Sequence, residues 1–367
     1  MNFIKLGIYV VGATMLMGCG NKEASNTATT KVTPNQTLTQ NGFVFDKVRD
    51  ESNFPSYINE LKKYAITQGI TQETLDIAFK DVHFIDHVVK ADQNQPEKKQ
   101  TVEMYLSRAV SPARINLAKD KFLQYHSQIG NATLLTNVPK PYILALWGVE
   151  SAYGKYQGKE DIISALSTLA YEGRREKFFT KELISALQIL QKGNIAKSEF
   201  KGSWAGAMGQ NQFMPSSYLA YGLDGDGDGK IDIWNNMSDI FASIGNYLAT
   251  VGWNEKEGWG QKVKLSSRFD INLAGLDDNK AKTVSDWLKL GVKLNNNNVK
   301  PNMLTKAWLI IPDEDNAVDS STNAYLVFQN FKTLMHWNRS YSFALSVGMI
   351  ADNLTYAPLH VTQENNR

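Results

Sequence analysis

One carboxylate in this chain sits where a solvated glutamate does not belong. In the stretch 139–158, PKPYILALWGVESAYGKYQG, Ile143, Leu146 and Trp147 are three and four apart and share a helical face, and Glu150 falls next on it. Desolvation on such a face raises a carboxyl pKa. A carboxyl that keeps its proton near neutral pH can protonate the oxygen of a glycosidic bond. Periodicity alone leaves a second reading open, a buried structural glutamate held by a backbone donor or an arginine. Most glycosidases pair such an acid with a second carboxylate. Glu160, Asp161, Glu172 and Glu176 are near in sequence but lie among charged or loop residues, and none repeats the apolar setting of Glu150. If no partner comes from a distant part of the sequence, the reaction needs one carboxyl group only.

A second constellation is acidic. The run 224–232, DGDGDGKID, has the spacing of the opening of an EF-hand loop: Asp224, Asp226 and Asp228 at positions 1, 3 and 5, Gly229 at the sharp turn, and the Lys230 carbonyl at 7. Asn235 stands where a bidentate Glu is expected, so Asp239 is the candidate to close the site. Calcium is the expected ion, in a structural role; an Asp-Gly turn without metal is the alternative. Between the two constellations, Ser203 and Gln212 lie in a run with Gly202, Gly206 and Gly209, which suits close backbone approach to a ligand. Arg174 and Arg175 could bind substrate carboxylates or form a solvated turn.

The elements that must position these groups read as mainly helical. Helical spacing covers 56–68, 71–79, 162–171, 181–191 and 240–251, and Pro112 opens another helix. After Gly260 the texture changes: 262–266, 308–311 and 325–328 read as strands around a short helix at 284–290, before 331–335 and 341–354 return to helix. The expected fold is a helical body with a small α+β subdomain near the C-terminus. The expected divisions are a signal segment 1–18, a polar tether 19–42, a catalytic α domain 43–260, the subdomain 261–330, and a helical return 331–367.

The chain has 367 residues, 43% of them hydrophobic, and a formal net charge of +2 with no basic block, so nothing in its composition favours nucleic acid. Its single cysteine, Cys19, follows a short charged start and an apolar run too short to span a bilayer. Leu16-Met17-Gly18-Cys19 resembles a bacterial lipobox, and Gly20 after it favours the outer membrane over the inner. The expected location is thus the periplasmic face of the outer membrane, through a lipid on Cys19.

WGVESAYG around Glu150, SWAGAMGQNQFMPSSY from Ser203 to Tyr218, and the Asp-rich loop after it resemble the membrane-bound lytic murein transglycosylase B family. The QPE and SPAR segments at Gln95 and Ser111 match as well. The resemblance implies a lysozyme-like α fold and non-hydrolytic cleavage of the β-1,4 bond between N-acetylmuramic acid and N-acetylglucosamine, without a catalytic cofactor. Glu150 would protonate the glycosidic oxygen, then accept the proton of the muramyl C6 hydroxyl as a 1,6-anhydro ring closes. By the same resemblance, Ser203 and Gln212 would stabilise the oxocarbenium-like state, and Tyr105, Tyr247 and Asn338 would line the glycan groove. Arg174 and Arg175 would meet lactyl or peptide carboxylates, and Asp224, Asp226, Asp228, Lys230 and Asp239 would hold calcium. Trp337 stands where the family often has Tyr. The expected partners are peptidoglycan strands and the proteins that build or remodel the wall. Two other readings are a water-using muramidase and a non-catalytic peptidoglycan-binding lipoprotein.

Overall fold

The computed structural model describes residues 43, 45, 49–94, 101–295, 301–313 and 322–355. Cys19, the signal segment, the tether and the QPE segment lie outside the described residues. In chain order the helices are α1 (Phe54–Thr67), α2 (Gln72–Ala78), α3 (Asp86–Gln93), α4 (Val102–Ala109), α5 (Pro112–Gln124), α6 (His126–Thr136) and α7 (Lys140–Ser151). There follow β1 (Glu160–Asp161), α8 (Ile162–Glu172), α9 (Glu176–Gln191), β2 (Lys201–Gly202), α10 (Pro215–Tyr221) and α11 (Met237–Thr250). The remainder is β3 (Gly260–Leu265), β4 (Lys282–Thr283), α12 (Val284–Lys289), β5 (Val292–Leu294), β6 (Lys306–Ile310), β7 (Ala324–Val327), α13 (Gln329–Trp337) and α14 (Tyr341–Thr355).

The chain divides into two units, each drawn from two segments: 1–96 with 157–220, and 97–156 with 221–367. In the first unit the local signals act as expected. Thr71 Oγ1 accepts from Thr74 N at the start of α2, and Asp161 Oδ1 accepts from Ser164 N at the start of α8. Tyr171 of α8 meets Phe54 and Tyr57 of α1 with ring centroids 5.4 and 5.0 Å apart. β1 pairs antiparallel with β2, with Glu160 opposite Gly202. Gly158 precedes this pair at φ +88°, and a Cβ there would lie 2.0 Å from the Gly202 carbonyl carbon, so no other residue fits.

The second unit is built around α7. Every residue from Tyr142 to Gly148 is buried, so the helix is enclosed on all sides rather than along the single stripe its spacing predicts. Helices α5, α6, α11 and α14 enclose it. Gly245 lets α11 approach α6 closely, since a Cβ there would lie 2.4 Å from Thr136 Oγ1. The five-stranded antiparallel sheet, in order β4-β6-β7-β3-β5, presents two different faces. Trp308, Ile310, Tyr325 and Val327 join the helical core, while Val263, Leu309 and Leu326 pack with Val284, Trp287 and Val292 in a second core. Trp287 Nε1 ties α12 to the sheet by donating to the Ala307 carbonyl at 3.0 Å.

The sequence reading omits α3, α6 and the short strands β1, β2, β4 and β5. Strands of two or three residues are too short to show alternation. The α6 segment lacks a continuous apolar stripe, and Leu134 on it is 82% exposed. Helix α9 begins at Glu176 rather than Lys181, so Phe178 and Phe179 belong to it. Among the described residues no helix is long and apolar enough to cross a membrane.

Candidate active site

Helix α7 starts at Lys140 with Pro141 in its first turn, where a missing N–H costs nothing. It ends abruptly. Ala152, Tyr153 and Gly154 take φ of 49, 61 and 81° in succession, a left-handed turn that two non-glycine residues enter only under local compulsion. Ser151 supplies part of that compulsion: its Oγ donates to the Trp147 carbonyl at 3.2 Å and accepts from Gly154 N at 3.0 Å. Tyr153 supplies the rest by folding back over α7. A Cβ on Gly148 would lie 2.5 Å from its ring, so the glycine makes the space. The Tyr153 ring stands edge-on to Trp147 at 5.3 Å, and Trp147 in turn meets Tyr125 at 5.4 Å and Phe241 at 5.2 Å. Glu150 therefore leaves the last turn of a helix whose rotation is fixed from both sides.

Its carboxyl is hydrogen-bonded on one oxygen. Trp337 Nε1, at the end of α13, donates to Glu150 Oε1 at 2.6 Å. The indole is held by Tyr247, whose ring lies 4.6 Å from it and whose hydroxyl donates to the His336 carbonyl at 2.9 Å; Tyr221 backs Tyr247 at 4.5 Å. Burial pushes the Glu150 pKa up to about 8, and the Trp337 hydrogen bond opposes part of that rise. Tyr105 is raised by burial and by the Glu150 charge, with Arg114 acting against both; Tyr247 is raised by burial, Tyr221 and Glu150. Arg114 also donates to the Gly148 carbonyl at 3.3 Å, so the SPAR segment reaches α7. Within this unit the structure brings together Glu150, Tyr105, Tyr247 and Trp337, and Asn338 follows Trp337 as a buried residue.

The other expected groups lie in the first unit. Ser203 is buried; its Oγ accepts from Ala207 N at 3.0 Å and its N donates to the Ala207 carbonyl at 2.8 Å, closing a tight turn. Gln212 has φ 51° and spends its amide nitrogen on the carbonyls of Gly209 at 2.8 Å and Gln157 at 3.3 Å. Arg174 and Arg175 both pair with Asp92, a carboxylate whose side chain is 1% exposed, and Arg174 also donates to the Asp92 carbonyl at 2.9 Å. Arg174 stays half exposed and Arg175 less so, but both are anchored on that one buried carboxylate.

In the acidic loop, Asp224, Asp226 and Asp239 bring carboxylate oxygens within 4.8 Å of one another. Asp224 accepts from Gly227 N and Gly229 N, which hold its pKa low, whereas burial raises that of Asp239. Asp228 lies outside this cluster, its Oδ1 accepting from Lys230 N at 2.8 Å. Asn235 turns to Asp232 instead. Among the described residues no ion pair reaches these carboxylates, and a buried Asp239 beside two others suits a hard divalent cation.

Three contributors escaped the sequence reading. The Trp337 contact on Glu150 joins residues far apart in the chain, and only the unusual indole at that position hinted at it. Arg114 was visible solely as part of a motif. Asp92, the partner of both arginines, gave no signal beyond its place on the apolar side of a short amphipathic segment.

Residues 53–352 match the family model described as a transglycosylase SLT domain. The chain is 29% identical over 257 residues to the membrane-bound lytic murein transglycosylase B of Escherichia coli (strain K12), covering 65% of this chain and 70% of that protein. SltB3 from Pseudomonas aeruginosa, solved in complex with NAG-anhNAM-pentapeptide, matches with a TM-score of 0.77 at 37% identity, covering 83% of this chain and 80% of that one. The Escherichia coli lytic transglycosylase Slt35, solved in complex with calcium, matches with a TM-score of 0.67 at 25% identity, over 83% of this chain and 93% of that one.

Proposed function

From the premise that this chain belongs to the SLT-domain transglycosylase family, which the match over residues 53–352 establishes, we propose how its own residues carry out the family's reaction. The chain is a peptidoglycan lytic transglycosylase with a lysozyme-like fold, a lyase that acts on murein glycan strands. Glu150 is its acid and then its base. The observation that carries this assignment is a carboxyl at the end of an enclosed helix whose pKa is pushed up to about 8 by burial, with no second carboxylate among the causes.

At neutral pH Glu150 holds its proton and gives it to the glycosidic oxygen as the C1–O4 bond breaks. The carboxylate left behind faces the positive charge on the muramyl ring. It then takes the C6 hydroxyl proton while O6 bonds to C1, which closes the anhydro ring and restores the acid. Charge and protons balance without water or a catalytic cofactor. Tyr105, Tyr247, Trp337 and Asn338 form the groove wall on the Glu150 side. Ser203 and Gln212 stabilise the oxocarbenium-like state, Gln212 through an amide oxygen that has no hydrogen bond among the described residues. Arg174 and Arg175, already engaged on Asp92, act as a fixed positive pair toward peptide carboxylates rather than as mobile hooks.

Asp224, Asp226 and Asp239 hold calcium, with Asp239 supplying what Asn235 cannot and Asp228 and Lys230 completing the loop. The ion there neutralises clustered charge and takes no part in bond cleavage. The membrane-bound relative supports association with the cell envelope, and a lipid on Cys19 at the periplasmic face of the outer membrane is the proposed anchor.

Mass spectrometry of digested peptidoglycan tests the reaction. Anhydro-muramyl products are expected from the wild type and none from E150Q, which should still bind glycan; reducing-end products alone would mean that water, not O6, is the nucleophile.

A further inference from the structure

Resting on the assignment of Glu150 as acid and base, we propose that Trp337 is a positioning residue that gives the two oxygens of Glu150 separate tasks. Oε1 is held by the indole N–H, and Oε2 alone gives and takes the proton. The observation is the 2.6 Å bond from Trp337 Nε1 to Oε1; among the described residues Oε2 has no hydrogen-bond partner.

The chemistry follows from the donor. An indole can only donate, so it cannot accept a proton from the acid form of the carboxyl. In a protonated carboxyl the carbonyl oxygen is the better acceptor and the hydroxyl oxygen the poorer one. A fixed N–H on Oε1 therefore selects Oε1 as carbonyl and Oε2 as hydroxyl. A tyrosine in this place could donate or accept, and either oxygen could then carry the proton. The indole does not follow the carboxyl if it turns: it packs against Tyr247 with the rings tilted at 57°, Tyr247 is tied to His336, and Asn338 N bonds back to the Leu334 carbonyl to end α13.

A consequence concerns the order of events. One oxygen cannot release a proton to O4 and take one from the C6 hydroxyl in the same step. Bond cleavage and ring closure are thus successive, with the charged sugar facing the Glu150 carboxylate between them.

The test is the pH dependence of glycan cleavage by W337F and W337Y. The groups that face Glu150 are Tyr105 from α4 and Tyr247 from α11, with Arg114 from α5 on the carbonyl of Gly148; His336 is exposed beside Trp337. Glu150 must be protonated to act as acid, so activity is lost above its pKa, and losing a donor to its carboxylate moves that limb to higher pH. In W337F the limb is expected to rise by about one unit. Its kcat is expected to fall roughly 10- to 100-fold, with KM changed less than about threefold. W337Y, which regains a donor, should return the limb toward the wild-type position.

A limb unmoved in a W337F that melts like the wild type would overturn the assignment, as would a limb that follows H336N instead. Cleavage by E150Q would overturn the underlying role of Glu150 rather than that of Trp337. Should W337F not fold, the wild type still decides. Its NMR spectrum is expected to show one indole N–H signal that titrates with a midpoint near the Glu150 value of about 8 and ceases to titrate in E150Q. Trp259, bonded to Asp352, supplies a separate signal with a lower midpoint of about 6; if no indole signal titrates near 8, or that titration persists in E150Q, the inference fails.

Discussion

Burial keeps the Glu150 proton in place at a pH where a solvated glutamate has lost it, and that retention has a cost to folding. The carboxyl titrates near 4.5 when unfolded and near 8 when folded, so between these values the folded chain binds more protons than the unfolded one. Stability must then fall as pH rises from 5 to 8. E150Q carries no such term. Relative to wild type, it is expected to gain about 2–4 kcal/mol over that interval, read from urea unfolding at the two pH values; equal pH dependence in both proteins would contradict the shift. The sequence showed the candidate acid because an apolar face at helical spacing is a local property. It could not show Trp337, because contact between Glu150 and a residue at the far end of the chain is a property of the assembled fold.

Among the elements, the end of α7 matters most. Its left-handed exit depends on Tyr153 lying against Gly148, and a methyl group there has no space. G148A should destabilise the protein by about 1–3 kcal/mol in thermal melts and lower cleavage more than stability alone explains, because the last turn carries Glu150. The acidic loop is a second element with a testable role. Calcium is expected to raise the melting temperature of the wild type, as mass action requires of a native-state ligand, and D239N should lose most of that rise. A calcium response that survives D239N would place the ion elsewhere. Element types were readable where periodicity ran over many residues, as in α8, α11 and α14. They were lost where strands were two or three residues long or, as in α6, where Leu134 and Leu135 face outward and break the apolar stripe.

Over the whole molecule, the helical class and the C-terminal sheet were apparent from the change in texture after Gly260. What no local signal gave is that each unit is made of two separated stretches, since segment pairing depends on cores that form only after the chain returns. One face of the sheet and the last helix complete the surroundings of α7. Ending the chain before Tyr341 should therefore leave the Glu150 motif present but its helix uncovered. Such a truncation is expected to show no cleavage and a broad, low-temperature melt.

The packing of α14 on α7 also sets a timetable. A polypeptide still being made can display every residue of the Glu150 motif long before it can raise that residue's pKa. The acid is expected to come into being only with the closing helix, so cleavage should belong to finished chains and not to unfinished ones.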